Sequence, residues 1–287
     1  MEDIMFKIDD AWNFYKDTKE IKKDSLRKEI NRYNKHVYPY WKDIPLETIK
    51  SKDILMYKKY LATQNLSPQS IKLCLSLLRR IINRSIKLEM CSFKLPYFEM
   101  PKVDNNRVRF LNQDEAHQLL FQLKIKSELW HDITLFALNT GLRASEIFSI
   151  RPSSVNILQK TVTVFDTKNS YSRTIPLNEI ALDIAHKYLS LNYIYLFSNR
   201  KITTVSSVFR NAVKNSKLNI NISDNREKIV FHSLRHTFAS WLVQNGIDIF
   251  IVGNLLGHRS LQMTMRYAHL APEQGRNAVN VLTRIIK

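Results

Sequence analysis

All five glycines of the 287-residue chain (Gly141, Gly246, Gly253, Gly257 and Gly275) lie at or beyond residue 141. Residues 1–140 must therefore turn without the residue that best tolerates positive φ, which favours helices joined by polar or proline turns. The clearest helix starts in LSPQSIKLCLSLLRRIINRSIKLEM. Ser67 suits the N-cap, Pro68 the first helical position, and Ile71, Leu75, Leu78, Ile82 and Ile86 recur at helical spacing. The stretches IDDAWNFYKDT, SLRKEINRYNKHVYPYW and SKDILMYKKYLAT read the same way, so residues 1–95 form a domain of four or five helices.

The length suits two domains. LPYFEMPKVDNNRVRF interrupts the periodicity with Pro96 and Pro101 and then turns polar and basic, which places a linker at 96–106. A second domain, 107–287, opens at LNQDEAHQLLFQL, where Asn112 and Glu115 have the spacing of a capping box. DITLFALNTGLRASEIFSI reads as helix, glycine turn, helix. TVTVFDTKNSYSRTIPL sets β-formers on either side of a polar turn, so Lys168 falls at or beside the tip of a hairpin. Helical patterning returns from residue 178 onward. The expected fold class is mainly α with a small β-sheet or hairpin.

Forty-four Lys and Arg against 26 Asp and Glu leave a net charge of +18. The excess is shared: residues 1–106 carry 21 basic and 14 acidic side chains, and residues 107–287 carry 23 and 12. Such a surface attracts polyanions, nucleic acid first and an anionic membrane surface second. On the helix after Ser67, Lys72, Arg79 and Arg84 are candidates for DNA phosphate contact, with a solvated face as the competing reading. No stretch approaches the ~18 uninterrupted apolar residues of a membrane span, and the acidic N-terminus lacks the apolar core of a signal peptide. Cys74 and Cys91 make neither a disulfide framework nor a metal-spaced cluster, so a reducing cytoplasm is expected.

FHSLRHTFASWL, residues 231–242, sets His232 and His236 one helical turn apart with Arg235 between them. A zinc helix uses the same histidine spacing, but here no glutamate stands between to act as base, and the guanidinium would repel a divalent cation. Arginine offers a planar donor pair that fits phosphate oxygens, and His232 shares its face at i,i+3, so an anion site is the better reading. Upstream stand TGLRASEI, with Arg143 after Gly141, and the hairpin Lys168. Downstream come LLGHRS, with His258 after Gly257, and MTMRYAHL, with Tyr267. Two arginines, two histidines, a lysine and a tyrosine suit the attack of a phenolate on a phosphodiester.

TGLRASEI, DTKNSYSRTIPL, HSLRHTFASWL, LLGHRS and MTMRYAHL, in this order, resemble the motif blocks of the tyrosine recombinases, the phage integrase family. The likeness covers residues 107–270, and the helices up to about residue 95 look like that family's SAM-like, helical core-binding domain. The resemblance implies a mixed, mostly helical catalytic domain in which Tyr267 is the nucleophile. It places Arg143, Arg235, His232 and His258 around the scissile phosphate and makes Lys168 the hairpin lysine. A phenol with a reference pKa of about 10 needs a base or a cationic setting to become a nucleophile, and His232 is the candidate for that proton transfer. Arg143 and Arg235, helped by His258, would hold the charge gathering on the phosphoryl oxygens, and Lys168 would protonate the departing 5′-oxygen. No metal and no other cofactor is required, since the arginines supply the charge.

Glu146 is expected to orient Arg143, Tyr171 to lie on the hairpin surface, and His236 and Trp241 to serve structure. The implied activity is site-specific strand exchange through a 3′-phosphotyrosine intermediate, without ATP. A type IB topoisomerase-like relaxing enzyme and a catalytically silent DNA-binding regulator are the rival readings. Implied partners are double-stranded recombination sites, accessory DNA-bending proteins and three further copies of the chain, joined through the tail EQGRNAVNVLTRIIK, with a cytoplasmic, nucleoid-associated location. Many phage integrases carry an arm-binding domain ahead of these helices. The chain begins almost at the helices, which leaves a two-domain recombinase or a trimmed one.

Overall fold

A computed structural model describes residues 6–18, 23–103, 109–166, 171–200 and 202–272. By mutual contact the chain divides into two compact units, Met1–Asn105 and Asn106–Lys287. Each has its own hydrophobic core. No described helix is long and apolar enough to cross a membrane.

The first unit holds helices α1 (Ile8–Thr18), α2 (Lys23–Arg32), α3 (Tyr38–Trp41), α4 (Ser51–Thr63) and α5 (Pro68–Lys87). A π-helical turn, Tyr33–Val37, joins α2 to α3 without a break. Tyr33, Val37 and Trp41, four residues apart, are all buried, and Trp12 stacks on Tyr33 with ring centroids 4.3 Å apart. The N-cap expected for α5 is made, the Ser67 hydroxyl accepting from the Ser70 N–H at 3.2 Å. Ile71, Leu75, Leu78 and Ile82 point into the core. Without glycine, the turns after α4 and α5 put Asn65 and Glu89 at positive φ, 55° and 58°, a conformation that costs a side-chain-bearing residue roughly 1–2 kcal/mol. Part of the stretch read as linker packs on this unit: Phe98 is buried in its core, and the Tyr97 N–H donates to the Ser51 hydroxyl at 2.9 Å.

The second unit begins with α6 (Gln113–Lys126) and α7 (Glu128–Thr140), continues through the short α8 (Ala144–Ile147), and then forms a sheet of β1 (Val155–Asn156), β2 (Thr161–Asp166) and β3 (Tyr171–Pro176). All pairings are antiparallel, in the order β1-β2-β3. Helices α9 (Glu179–Leu189), α10 (Ser207–Asn215), α11 (Phe231–Gln244) and α12 (Ile249–Leu256) follow, and two 3-10 turns, Leu261–Met263 and Met265–Leu270, close the described chain. The capping box at α6 is reciprocal: Glu115 N–H donates to Asn112 Oδ1 at 2.8 Å and Asn112 N–H to Glu115 Oε2 at 3.0 Å. Helices α7 and α11 pack against each other. Lys168 at the β2–β3 turn and the tail from residue 275 onward lie outside the described residues.

Candidate active site

The site is built around one buried arginine. Arg235 sits in the second turn of α11, only 4% exposed, and its Nη1 donates to the Gly141 carbonyl at 2.9 Å while Nη2 donates to the Leu256 carbonyl at 2.6 Å. These acceptors lie at the C-terminal ends of α7 and α12, where unpaired carbonyls concentrate negative potential. Both helices end on a left-handed glycine, Gly141 at φ 62° and Gly257 at φ 65°. Neither tolerates a side chain. A Cβ on Gly141 would lie 2.3 Å from the Phe238 ring, and one on Gly257 would lie 2.6 Å from Arg173 Nε. Arg235 thereby ties two glycine turns to one point, and each turn delivers a candidate residue, Arg143 from the first and His258 from the second.

Arg143 is the N-cap of α8. Its backbone N–H donates to Glu146 Oε2 at 2.8 Å and its Nη1 to Oε1 at 2.9 Å, so Glu146 does orient it. The same carboxylate accepts from both terminal nitrogens of Arg173, each at 2.9 Å. Burial works against the Glu146 charge, yet the hydrogen bonds from Arg173 and the Arg143 backbone, with the charges of both guanidiniums, hold its carboxyl below the usual range.

The neighbouring charges that favour the ionised form of Glu146 disfavour that of His258. Its Nδ1 is 2.8 Å from the hydroxyl of the fully buried Thr264, and a hydroxyl donating there leaves Nε2 carrying the ring proton. Burial, followed by the charges of Arg235, Arg143, Arg266 and Arg173, pushes His258 down to about 4. It is thus a neutral donor at physiological pH. Burial and the Arg143 charge likewise push Arg235 down to about 9, so it remains a cation at neutral pH but an under-compensated one. Its two hydrogen-bond partners are neutral carbonyls. Such a charge gains most from an incoming anion.

Tyr267 is 6% exposed, packed with Ala239 and Val243 of α11 and Val252 and Leu256 of α12. Burial raises its phenol above the ordinary value, and the charges of Arg266 and Arg235 pull the other way. The ring that meets its hydroxyl is that of His236, with Nδ1 at 2.5 Å. His236, expected to serve structure, is thus the histidine at the Tyr267 hydroxyl, where His232 was the candidate for proton transfer. Tyr267 packs beside Ala239 and Val243, further along α11, so the histidine nearer those residues reaches it. His232, exposed, meets the His236 ring edge-on with centroids 4.9 Å apart. Trp241 is structural as expected, its Nε1–H donating to the Leu111 carbonyl at 3.0 Å.

The three basic residues of α5 part company. Lys72 and Arg79 are exposed, have no hydrogen bond or ion pair among the described residues, and stand seven apart on one helical stripe. Arg84 is engaged locally: Nε donates to the Thr18 hydroxyl at 3.1 Å and Nη2 to the Thr18 carbonyl at 2.8 Å, holding the end of α1. Arg173 and Thr264 join the site without having stood out in the sequence. A signal for Arg173 was present, because strand alternation puts it on the same face as the buried Ile175, where an arginine needs a partner.

The family model described as "Phage integrase family" matches residues 109–274. The integrase of Salmonella phage P22 is 29% identical over 197 residues, 62% of this chain and 48% of that protein, so the match spans about half of that relative's length. Tyrosine recombinase XerD of Oceanobacillus iheyensis is 26% identical over 289 residues, 93% of this chain and 94% of that one. Among solved structures, a lambda integrase tetramer bound to a Holliday junction shares the fold with a TM-score of 0.76 at 20% identity, covering 95% of this chain and 79% of that one.

Proposed function

Taking as premise that the chain belongs to the phage integrase family, we propose that it is a site-specific DNA recombinase that cuts and rejoins DNA through Tyr267. The observation that carries this reading is the convergence on Arg235. Four arginines (143, 173, 235 and 266) act on His258, and Glu146 is the carboxylate paired with two of them. A phosphodiester is the substrate class that such a cationic, hydrogen-bonding site favours.

In this reading Tyr267 Oη attacks phosphorus, a 3′-phosphotyrosine bond forms, and the bond from phosphorus to the 5′-oxygen breaks. Arg143, Arg235 and the Nε2–H of His258 hold the non-bridging oxygens as charge develops on them. His232, at the exposed start of α11, joins them on the phosphate. Lys168 protonates the leaving oxygen. The bond energy is kept in the covalent intermediate, so a 5′-hydroxyl from another strand reseals the DNA and releases Tyr267. Lys72 and Arg79 are proposed to contact DNA phosphates. The tail 275–287 is proposed to join copies of the chain, and the working unit to be a tetramer on two duplexes.

Tyr267→Phe tests the reading. On a nicked suicide substrate the variant is expected to form no covalent adduct and to bind DNA within about twofold of the parent. An adduct that persists removes Tyr267 from its role, and relaxation of supercoiled DNA without exchange between two sites would favour the topoisomerase-like alternative.

A further inference from the structure

We propose that His236 is the general base for Tyr267, a role that rests on the recombinase reading above. The phenol lies in a small apolar cluster, so bulk water is a poor acceptor for its proton. At 2.5 Å from Oη stands His236 Nδ1, itself in a side chain only 5% exposed. In the tautomer with its proton on Nε2, His236 presents Nδ1 as the acceptor to which the Tyr267 O–H donates. Solvent-shielded contact of this kind suits proton transfer, because the acceptor is in hydrogen-bond reach before the substrate arrives.

The helix adds a second argument. Adjacent residues on an α-helix point about 100° apart, so Arg235 and His236 serve different targets from one turn of α11. Arg235 faces the two glycine turns, and His236 faces the Met265–Leu270 turn that carries Tyr267. One rigid turn thus holds both the phosphate anchor and the nucleophile's base.

The step balances as follows. The O–H bond of Tyr267 breaks and its proton goes to His236 Nδ1, making an imidazolium. The Oη electron pair forms the bond to phosphorus, the 5′-oxygen leaves with its electron pair, and it takes a proton from Lys168. On resealing, the imidazolium returns the proton to Tyr267. Ionisable neighbours of the pair are His232 and Arg235 on α11 and Arg266 beside Tyr267, while α12 (IFIVGNLL) contributes none.

The experiment compares His236→Ala and His236→Asn with the parent in single-turnover adduct formation. Two suicide substrates are used, an ordinary phosphodiester and one with sulfur at the 5′-bridging position, whose leaving group needs no acid. Asn places an oxygen where Nδ1 stands, so it keeps the hydrogen bond but cannot carry the proton. Both variants are expected to react about 100-fold more slowly than the parent at pH 7 on both substrates, with DNA affinity and melting temperature nearly unchanged for Asn. Their deficit is expected to shrink as pH rises to 9, because a growing fraction of the phenol is then ionised without a base. Parental rates in His236→Asn would reduce the residue to positioning and overturn the proposal. So would a large loss in His232→Ala on both substrates with His236→Asn unaffected. Persistence of the adduct in Tyr267→Phe would instead strike the recombinase reading itself, which separates the two failures.

Discussion

Helices α5 and α11 both carry arginines, and they use them in opposite ways. On α5, Arg80 pairs with Glu29 at 2.7 Å, Arg84 holds the end of α1, and Lys72 and Arg79 stand in solvent. Each cation is either matched locally or hydrated. On α11, Arg235 is buried and has neutral carbonyls for hydrogen-bond partners. An exposed cation costs little and reports little, whereas a buried cation without a carboxylate partner is a standing cost that an anionic substrate relieves. The contrast separates residues that attract DNA from those that act on it.

The contrast is broken most sharply at Arg235. Arg235→Lys keeps the charge but loses the pair of anchors at Gly141 and Leu256, and adduct formation is expected to fall by two to three orders of magnitude, about 3–4 kcal/mol in the barrier. DNA affinity should change by less than threefold. A rate within tenfold of the parent would mean that charge alone suffices. Next in size is Gly141→Ala, where a left-handed φ of 62° and the Phe238 ring 2.3 Å from a new Cβ oppose the methyl group. A loss of about 2–4 kcal/mol in denaturant unfolding is expected, and a loss under 0.5 kcal/mol would show that the turn relaxes freely.

On α5, Lys72→Ala with Arg79→Ala should weaken DNA binding severalfold and lower the slope of log affinity against log salt by about 2. Cleavage at saturating DNA should stay at the parental rate. Arg84→Ala should leave the salt slope alone and cost about 1 kcal/mol of stability. An Arg84→Ala slope change equal to the double variant's would place Arg84 among the DNA-contacting residues.

The smallest effect is a titration. In DNA-free protein, His258 should titrate near 4 by histidine NMR. Its folded value lies below its unfolded value of about 6.5, so the unfolded chain binds the extra proton between these values. Stability from this group is therefore full above about 6.5 and lost as pH falls toward 4. A bound phosphodiester should move the titration upward by offsetting the arginine charges, and an unchanged midpoint on saturation with DNA would place the anion elsewhere.

Much of this was legible in order along the chain. Local rules sufficed for the Ser67 cap, the Asn112–Glu115 box, the glycine turn before Arg143 and the hairpin of β2 and β3, because each depends on residues close in sequence. The third strand, β1, was not visible: Val155–Asn156 is too short for a pattern and exists by pairing with β2. Which of the two histidines meets the Tyr267 hydroxyl was not legible for a related reason. The shared face of His232 and Arg235 is a property of an isolated helix, whereas the choice between His232 and His236 depends on where the Tyr267 turn docks along α11.

By itself, the sequence determined the helical bias of the glycine-free residues 1–140, the charge that seeks a polyanion, and the inventory of a phosphate-binding, tyrosine-bearing site. Each follows from backbone conformational preference, from net charge, or from side-chain chemistry, none of which needs a partner far along the chain. Tertiary structure decided which cations are free to act. It buried Arg235 between two helix ends 115 residues apart in the chain (Gly141 and Leu256), took Arg84 for the end of α1, added Arg173 to Glu146, and set His236 rather than His232 on Tyr267. The reason is that desolvation and hydrogen-bond geometry depend on what surrounds a side chain in space, and spacing along a single strand of sequence carries no information about neighbours brought in by folding.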